Sequence, residues 1–370
     1  MNVRRCENNP IIETSESIGD IVNYPSVIEV PSWINNPLGN YYLYFAHKNG
    51  KYIRLAYADE ITGPWEIYGP GTLRLDQTKF VGHIGSPNVH VDDEDKLIRL
   101  YYHGETRIRD LISYPSTAYE YRKDYYDYKP RSIPHRVLIE SGRFLVNTFE
   151  SRRARKHIRK QDKNKNTPSN ETSVISTLVE NAPYKRFVRN SSILPPAVQE
   201  TRQAVSSDGL SFTALDPILG PSWFAMFSYA DRYFALGRDG HLYESQSPSE
   251  PFRRHQQLFS QHRHFGVYRN GDQLEVYYSR PDEMLECIYR TAVSLTSTVS
   301  EWEKGTEQRV ICPEQEYEGT DIDAEESKNN NPWERRQELR DPYIFVGDGT
   351  KYLFYVVAGE SGIAVAELTE

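Results

Sequence analysis

The sequence is poor in the residues that hold together small secreted domains and metal-binding modules. Its 370 residues include only three cysteines, Cys6, Cys287 and Cys312, and no two of them form a CxxC pair. Because three cysteines cannot all pair, a disulfide scaffold is disfavoured, and the spacing also disfavours a structural zinc site. We expect Cys287 to be a small, buried, apolar residue.

Long apolar runs and an excess of basic charge are also missing. No run reaches the roughly 18 apolar residues of a membrane span, so we expect no membrane partner. The 44 Lys and Arg are outnumbered by 52 Asp and Glu, and a net charge of −8 argues against a nucleic-acid partner, which needs a basic face. The first residues are polar and contain no signal-peptide core, which predicts a cytoplasmic protein or a secreted chain whose signal was removed.

Aromatic residues are the main excess. The chain has 27 Tyr, 14 Phe and 5 Trp but only 3 Met, so Tyr and the aliphatic residues carry its apolar character. Aromatic and β-branched residues fit the pleated, half-buried surface of a sheet. The 22 Pro and 22 Gly are scattered between short apolar runs, where they act as breaks. This composition favours an all-β protein.

Short apolar runs recur in five groups. In the first group, YYLYFA and YIRLAY flank Asn49-Gly50, a strong hairpin signal, and a turn at Gly63-Pro64 leads to a further strand. Four short antiparallel strands in each of five repeats are typical of propeller blades. We therefore predict that residues 1–370 form a single domain, a five-bladed β-propeller.

The fifth group shows only three strands before the sequence ends. We predict that residues 10–13 supply the missing strand and close the ring, because closure removes exposed sheet edges. In blades three and four, we place the fourth strands at residues 248–252 and near Trp302.

A long insertion interrupts blade two between its second and third strands, at residues 107–199. It contains a basic run at residues 152–165 and two glycosylation sequons, at Asn170 and Asn190. The basic run is interpreted as solvated surface, with a grip on an acidic ligand as the alternative.

The first strand of each propeller blade lines the central channel, so the five strand starts converge on one funnel. These starts are rich in His, Arg, Asp and aromatic residues, which suit a polar, ring-shaped ligand such as a sugar. We predict Asp341 as base or nucleophile, with His83 or His264 as acid. Glu338 is the nearest second carboxylate in the sequence, and an inverting pair would lie roughly 6.5–9.5 Å apart.

Six further residues are predicted to bind the substrate. They are Arg340, Tyr24, His103, Arg202, Trp223 and Tyr229. Arg340 presents a fixed fork of donors for a carboxylate, sulfate or hydroxyl group. The structural alternatives are that Asp341 initiates a turn before Pro342, that His83 makes an inter-blade hydrogen bond, and that Trp223 and Tyr229 pack in the core.

Three segments resemble the five-bladed propeller glycoside hydrolases. They are SPNVHVDDEDKLIRLYYHG, TRQAVSSDGLSF and RDPYIFVGDGTKYLFYVVAGESGIAVAEL. That group includes the arabinanase and xylosidase superfamily, the fructan hydrolases and the anhydrogalactosidases that act on agar oligosaccharides. The resemblance implies a glycosidase that acts on a plant or algal oligosaccharide.

The sequence departs from that family pattern at the strand starts. The arabinanase-like families place three carboxylates at the starts of strands in different blades, whereas only Asp341 is a plain acidic match here. The agar-oligosaccharide group is similar in using a histidine as an acid, which keeps His83 and His264 as candidates.

Three functions remain open from the sequence. The first is a glycoside hydrolase, the second a non-catalytic carbohydrate-binding propeller, and the third a polysaccharide lyase in which His83, Tyr24 and Arg340 act on a uronate. In each case the predicted partner is a carbohydrate. We predict no cofactor and no metal site, although several histidines near one axis leave a divalent cation in the channel open.

Overall fold

Five antiparallel sheets arranged in a ring make up the fold. The structure is a computed structural model that describes residues 1–15, 18–19, 21–47, 50–106, 198–238, 240–260, 262–281, 283–324 and 334–369. The first strand of each sheet contacts the first strands of the two neighbouring sheets, and the fifth sheet contacts the first. The predicted all-β, five-bladed β-propeller is therefore confirmed.

The strands of the first two blades follow two short N-terminal strands. The bounds are β1 Asn2–Arg5 and β2 Ile12–Glu13, then β3 Asn23–Glu29, β4 Tyr41–Ala46, β5 Tyr52–Ala58 and β6 Glu66–Arg74 in blade one, and β7 Val81–Asp92, β8 Leu97–Thr106, β9 Val198–Ser206, β10 Thr213–Ala214 and β11 Gly220–Pro221 in blade two.

Blades three to five complete the ring. Their strands are β12 Ala225–Tyr229, β13 Arg232–Leu236, β14 His241–Ser245 and β15 Arg253–Gln257, then β16 Arg263–Asn270, β17 Gln273–Ser279, β18 Ile288–Ser294 and β19 Gln308–Ile311, then β20 Arg340–Gly347, β21 Thr350–Val357 and β22 Gly362–Thr369. Short 3-10 helices lie at Leu75–Gln77, Val299–Glu301 and Glu316–Glu318. No helix of the described residues is long and apolar enough to cross a membrane.

Five apolar clusters, one between each pair of neighbouring blades, form the core. Strand β4 shows how one strand serves two of them. Tyr42 and Tyr44 belong to the cluster shared with blade two, whereas Leu43 and Phe45 belong to the cluster shared with blade five. Because successive side chains of a strand point to opposite faces, a strand buried on both faces carries an unbroken apolar run.

The N-terminal segment closes the ring, as predicted, but with a different strand. β1 pairs with β22 along its whole length, from Asn2 opposite Thr369 to Arg5 opposite Ala366, and so supplies the fourth strand of blade five. β2, which lies within the predicted segment 10–13, makes only a short second pairing with β22. The sequence of β1, NVRR, is half-exposed and polar, so its apolar pattern gave no signal.

The fourth strands of blades three and four also lie elsewhere than predicted. They are β15 and β19, instead of residues 248–252 and the region of Trp302. An outermost strand is held by backbone pairing while its side chains face solvent, and β15 accordingly reads RRHQQ. Trp302 is a core residue instead, because it is fully buried between blades three and four.

The insertion in blade two begins and ends at neighbouring strands. β8 and β9 are paired from Ile98 opposite Ser206 to Thr106 opposite Val198. The last two residues of the predicted insertion therefore belong to β9. Residues 107–197, with the basic run and both sequons, lie outside the described residues.

The prediction for Cys287 is corrected in one respect. The residue is buried, as expected, but it forms a disulfide bond with Cys312, and Cys6 is the free cysteine. Ile288 on β18 lies opposite Ile311 on β19, and the same register places the two cysteines opposite each other one step beyond. The two cysteines are close because β18 pairs with β19, and their spacing in the sequence alone does not predict this.

Candidate functional site

Each blade has a left-handed residue in the first half of its first strand or, in blade three, just before it. The five residues, with their φ angles, are Tyr24 (55°), Ser86 (48°), Trp223 (64°), His264 (47°) and Asp341 (48°). In blades one, two, four and five the pairing with the second strand breaks register at this residue. A positive φ is strained for residues with a Cβ, and a bulge redirects a side chain. Such strain clusters at functional sites, so these positions define the candidate site.

Three of the five side chains form a row of close polar contacts, called here the relay. The Tyr24 hydroxyl lies 2.7 Å from Nε2 of His264, and Nδ1 of His264 contacts Oδ1 of Asp341. The other Asp341 oxygen, Oδ2, accepts the backbone N–H of Tyr24 at 3.1 Å. Because a carboxylate can only accept, Nδ1 carries the imidazole proton, and Nε2 accepts from the tyrosine hydroxyl.

Burial sets the charge states of the relay. It lowers the pKa of His264 well below the ordinary value, and Arg263 adds to this effect. It raises the pKa of the Tyr24 phenol well above the ordinary value, with a further contribution from Asp341. The relay at rest is therefore a neutral phenol, a neutral imidazole and a carboxylate, with the phenolic hydrogen bond directed at Nε2 of His264.

Aromatic rings surround the relay. Together with His103 and Trp223, the three relay residues form the central cluster. The ring of Trp223 lies 4.3 Å from that of His264 and 6.2 Å from that of Tyr24, and His103 lies 6.3 Å from Tyr24. His103, His264 and Asp341 are buried, whereas Tyr24 and Trp223 are partly exposed. Tyr24 and Trp223 are therefore the members that a ligand can touch.

A further histidine, His83, and a carboxyl group, Glu105, lie on the His103 side of the central cluster. The His83 ring lies 5.4 Å from that of His103, and its Nδ1 lies 3.6 Å from Oε1 of Glu105. Burial raises the pKa of Glu105 and lowers that of both histidines, well below the ordinary value for His103. A carboxyl group with a raised pKa suits a proton donor.

Arg340 and Glu338 lie behind the relay, in a buried network of ion pairs. The Arg340 guanidinium donates to Glu286 at 3.1 Å, contacts Glu338, and lies 3.5 Å from Glu360. Arg263 shares Glu286 at 3.0 Å. These contacts favour a positioning role for Arg340 and Glu338, and their predicted roles in substrate binding and catalysis stay predictions.

Arg202 and Tyr229 are not brought together with the central cluster. Arg202 is buried, contacts the carbonyl oxygen of Asp216 and lies over the ring of Phe80. Tyr229 lies at the other end of β12 from Trp223, where its hydroxyl lies 3.1 Å from Asp272.

Sequence reasoning missed two residues of the site. Ser86 occupies the left-handed position of blade two, and its hydroxyl opposes part of the rise that burial causes in the pKa of Tyr24. Its signal was available, because a proline follows it, as one follows Tyr24 and Asp341. Arg238 lies in the turn between β13 and β14, with its guanidinium 4.2 Å from the Trp223 ring. No local motif marks it.

Metal ligands are not gathered at this site. Among the described residues, no group of three or more His, Cys, Asp or Glu is placed to hold a metal ion. The predictions about cofactors and a channel cation stay untested.

Comparisons with known proteins extend the resemblance in fold. No family model matches the sequence. An uncharacterized protein of Acanthamoeba polyphaga mimivirus is 24% identical over 408 residues, which cover 99% of this chain and 90% of that protein. A GH43 β-xylosidase/α-arabinofuranosidase from a compost microbial metagenome, solved with xylotriose in a calcium-free form, has a TM-score of 0.53 and 10% identity over 100% of this chain and 96% of that one.

A second solved structure gives the same picture. The GH43_1 enzyme of Xanthomonas citri in complex with xylotriose has a TM-score of 0.51 and 10% identity, over 94% of this chain and 88% of that one. At such low identity the likeness shows the fold alone. The chain therefore has the five-bladed propeller fold of these glycoside hydrolases, as the resemblance implied.

Proposed function

We propose that the protein cleaves a glycosidic bond of an oligosaccharide held at the central cluster, with Tyr24 presented to the sugar. The observation that carries the proposal is the relay, in which the Tyr24 hydroxyl is hydrogen-bonded to His264 and His264 contacts Asp341. This arrangement has the logic of a nucleophile, a base and an orienting carboxylate. Solved proteins of the same fold hold xylotriose, which supports a sugar as the ligand.

The first step of the proposed hydrolysis forms a bond between the Tyr24 oxygen and the anomeric carbon. The phenolic proton passes to Nε2 of His264, and Asp341 stabilises the resulting imidazolium. The bond to the leaving oxygen breaks, and Glu105 gives that oxygen its proton. Water then attacks the anomeric carbon and gives a proton to Glu105. The bond between that carbon and the Tyr24 oxygen breaks, and the oxygen recovers its proton from His264. Two displacements retain the anomeric configuration.

The test is a digestion panel of neutral and acidic oligosaccharides, read by reducing ends and by the ultraviolet absorbance of unsaturated products. We expect reducing ends without absorbance, and a first-formed product with retained configuration by NMR. Asp341→Asn should lower kcat by roughly 10²–10⁴-fold, because the amide no longer holds the required His264 tautomer. Asp348→Asn, in the exposed turn between β20 and β21, is the matched control.

A lyase is the second candidate, favoured by the single carboxylate among the five left-handed positions. In that reaction the Tyr24 oxygen takes the α-proton of a uronate while its own proton passes to His264. The C–H electron pair forms a double bond as the bond to the leaving oxygen breaks. That oxygen takes a proton from the Tyr24 hydroxyl, which recovers its own from His264, and no water is consumed. Unsaturated product on the same panel would replace the hydrolase with the lyase. Binding without turnover across the panel would favour a non-catalytic carbohydrate-binding propeller.

A further inference from the structure

Arg238 places a cation beside the central cluster. Its guanidinium lies over the Trp223 ring, and one of its nitrogens, Nη1, donates to Oε1 of Gln199 at 3.1 Å. Burial is the main cause of the pKa shifts of Tyr24, His103 and His264, and the charge of Arg238 contributes to all three. Arg238 is thus within electrostatic reach of both the exposed and the buried part of the cluster.

The carboxylates near the cluster each contact another side chain, and none of those that the structure describes contacts Arg238. Glu286, Glu338 and Glu360 are tied to Arg340, and Asp341 is tied to His264. Within the part of the chain that the structure describes, Arg238 makes no ion pair with a carboxylate. Stacking on Trp223 and the hydrogen bond to Gln199 hold the guanidinium in place without neutralising it. The other N–H groups of this half-buried guanidinium are available to donate to a ligand.

We propose that Arg238 binds an anionic substituent of the sugar, a carboxylate or a sulfate, so that the substrate is an acidic oligosaccharide. The planar fork matches two oxygens of either group, and a site screened from water strengthens the pairing. Stacking on Trp223 fixes the plane of the Arg238 guanidinium, and the free edge of the Trp223 ring contacts the sugar. This inference rests on the proposed function and names its substrate class.

The experiment measures binding of three probes by calorimetry at low and high salt. The probes are oligogalacturonate, a sulfated galactan oligosaccharide and neutral xylotriose. We expect wild-type protein to bind one acidic probe at least tenfold more tightly than xylotriose, with the preference reduced by salt. Arg238→Gln should remove the preference, and Arg238→Lys should keep part of it. Arg269→Gln, an exposed arginine at the far end of β16, is the matched control.

The two acidic probes identify the anion, because preference for oligogalacturonate indicates a carboxylate and preference for the galactan a sulfate. Equal affinity for neutral and acidic sugars, unchanged in Arg238→Gln, would overturn the inference and leave the proposed function intact. Binding of none of these probes or of the oligosaccharides in the digestion panel would overturn the proposed function itself. Melting temperatures within a few degrees of wild type establish that each variant is folded.

Discussion

The hydroxyl of Tyr24 lies 2.7 Å from Nε2 of His264, although the two residues are 240 positions apart in the sequence. Tyr24 begins blade one and His264 begins blade four, and the left-handed bulges turn both side chains towards the axis. This hydrogen bond links the partly exposed Tyr24 to the buried His264 and Asp341.

Removing the Tyr24 hydroxyl therefore tests the relay directly. Tyr24→Phe should lower kcat by about 10³-fold or more, because the attacking oxygen is lost, while the remaining ring keeps its contacts with Trp223 and His264. The loss of one hydrogen bond should lower the free energy of unfolding by only about 1 kcal/mol. Kinetics and denaturant unfolding of the same preparation separate the two effects.

Tyr57→Phe is the control for that variant. The Tyr57 hydroxyl also bonds to an acceptor, Glu66 at 2.7 Å, but on the exposed edge of blade one. It should leave kcat unchanged. An active Tyr24→Phe protein would exclude tyrosine as the nucleophile.

The position of the site was largely predictable, and its internal order was not. The start of the first strand in each blade was expected to face the axis, and Tyr24, His264 and Asp341 do meet there. Their roles depend on which side chain is buried. Asp341, predicted as base or nucleophile, lies beneath His264, and Tyr24, predicted to bind substrate or to act in a lyase, is the partly exposed end of the row.

Arg340 and Arg238 also show that the sequence does not predict which charged side chains can bind a substrate. The Arg-Asp-Pro motif made Arg340 a candidate for substrate binding, yet three carboxylates, Glu286, Glu338 and Glu360, surround it. Arg238 has no motif and lies beside Trp223 because of how blade three turns. Sequence patterns give the direction of a side chain along a strand, but contacts between blades decide whether its charge is already neutralised.

The activity should be lost on the acid side of neutrality. The reaction needs a neutral His264 to accept the phenolic proton, and protonation at Nε2 would block it. Because burial and Arg263 lower the pKa of His264, the fall in kcat/KM should be centred well below pH 6.5. A pH profile centred at or above pH 6.5 would contradict a buried, neutral imidazole in this role.

The free energy of unfolding should also fall as the pH is lowered, and His90 should account for a measurable part of that fall. Burial lowers the pKa of His90 from 6.5 to about 4. Above pH 6.5 the imidazole is neutral in both states and contributes nothing. Below pH 6.5 the unfolded chain binds a proton that the folded chain does not, which lowers the free energy of unfolding by about 3 kcal/mol at pH 4. His90→Gln should flatten this dependence between pH 6.5 and pH 4 in denaturant titrations.

The disulfide predicts a thiol count that changes with reductant. Denatured protein should show one reactive thiol, Cys6, without reductant, and three after reduction. The bond joins residues 25 apart, and a loop of this size is worth about 2–4 kcal/mol. Cys312→Ser should lower the unfolding free energy by that amount, whereas Cys6→Ser should not. Three reactive thiols without reductant would show that the bond does not form.

The ion pair of Arg5 should hold the closing strand, and its neighbour Arg4 supplies the control. Arg5 makes a bidentate pair with Glu318, at 2.8 and 3.0 Å, and the Glu318 side chain is fully buried. Arg5→Ala leaves that carboxylate without its cation, a change that costs about 3–5 kcal/mol for a buried pair. Arg4 contacts Glu367 from a side chain that is 73% exposed, so Arg4→Ala should lower the free energy of unfolding far less than Arg5→Ala does. The two variants flank one peptide bond of β1, so the difference between their unfolding free energies reports the contacts of Arg5, which also include Glu314 and the carbonyl oxygen of Cys312. Equal losses would mean that backbone pairing of β1 with β22, and not Glu318, closes the propeller.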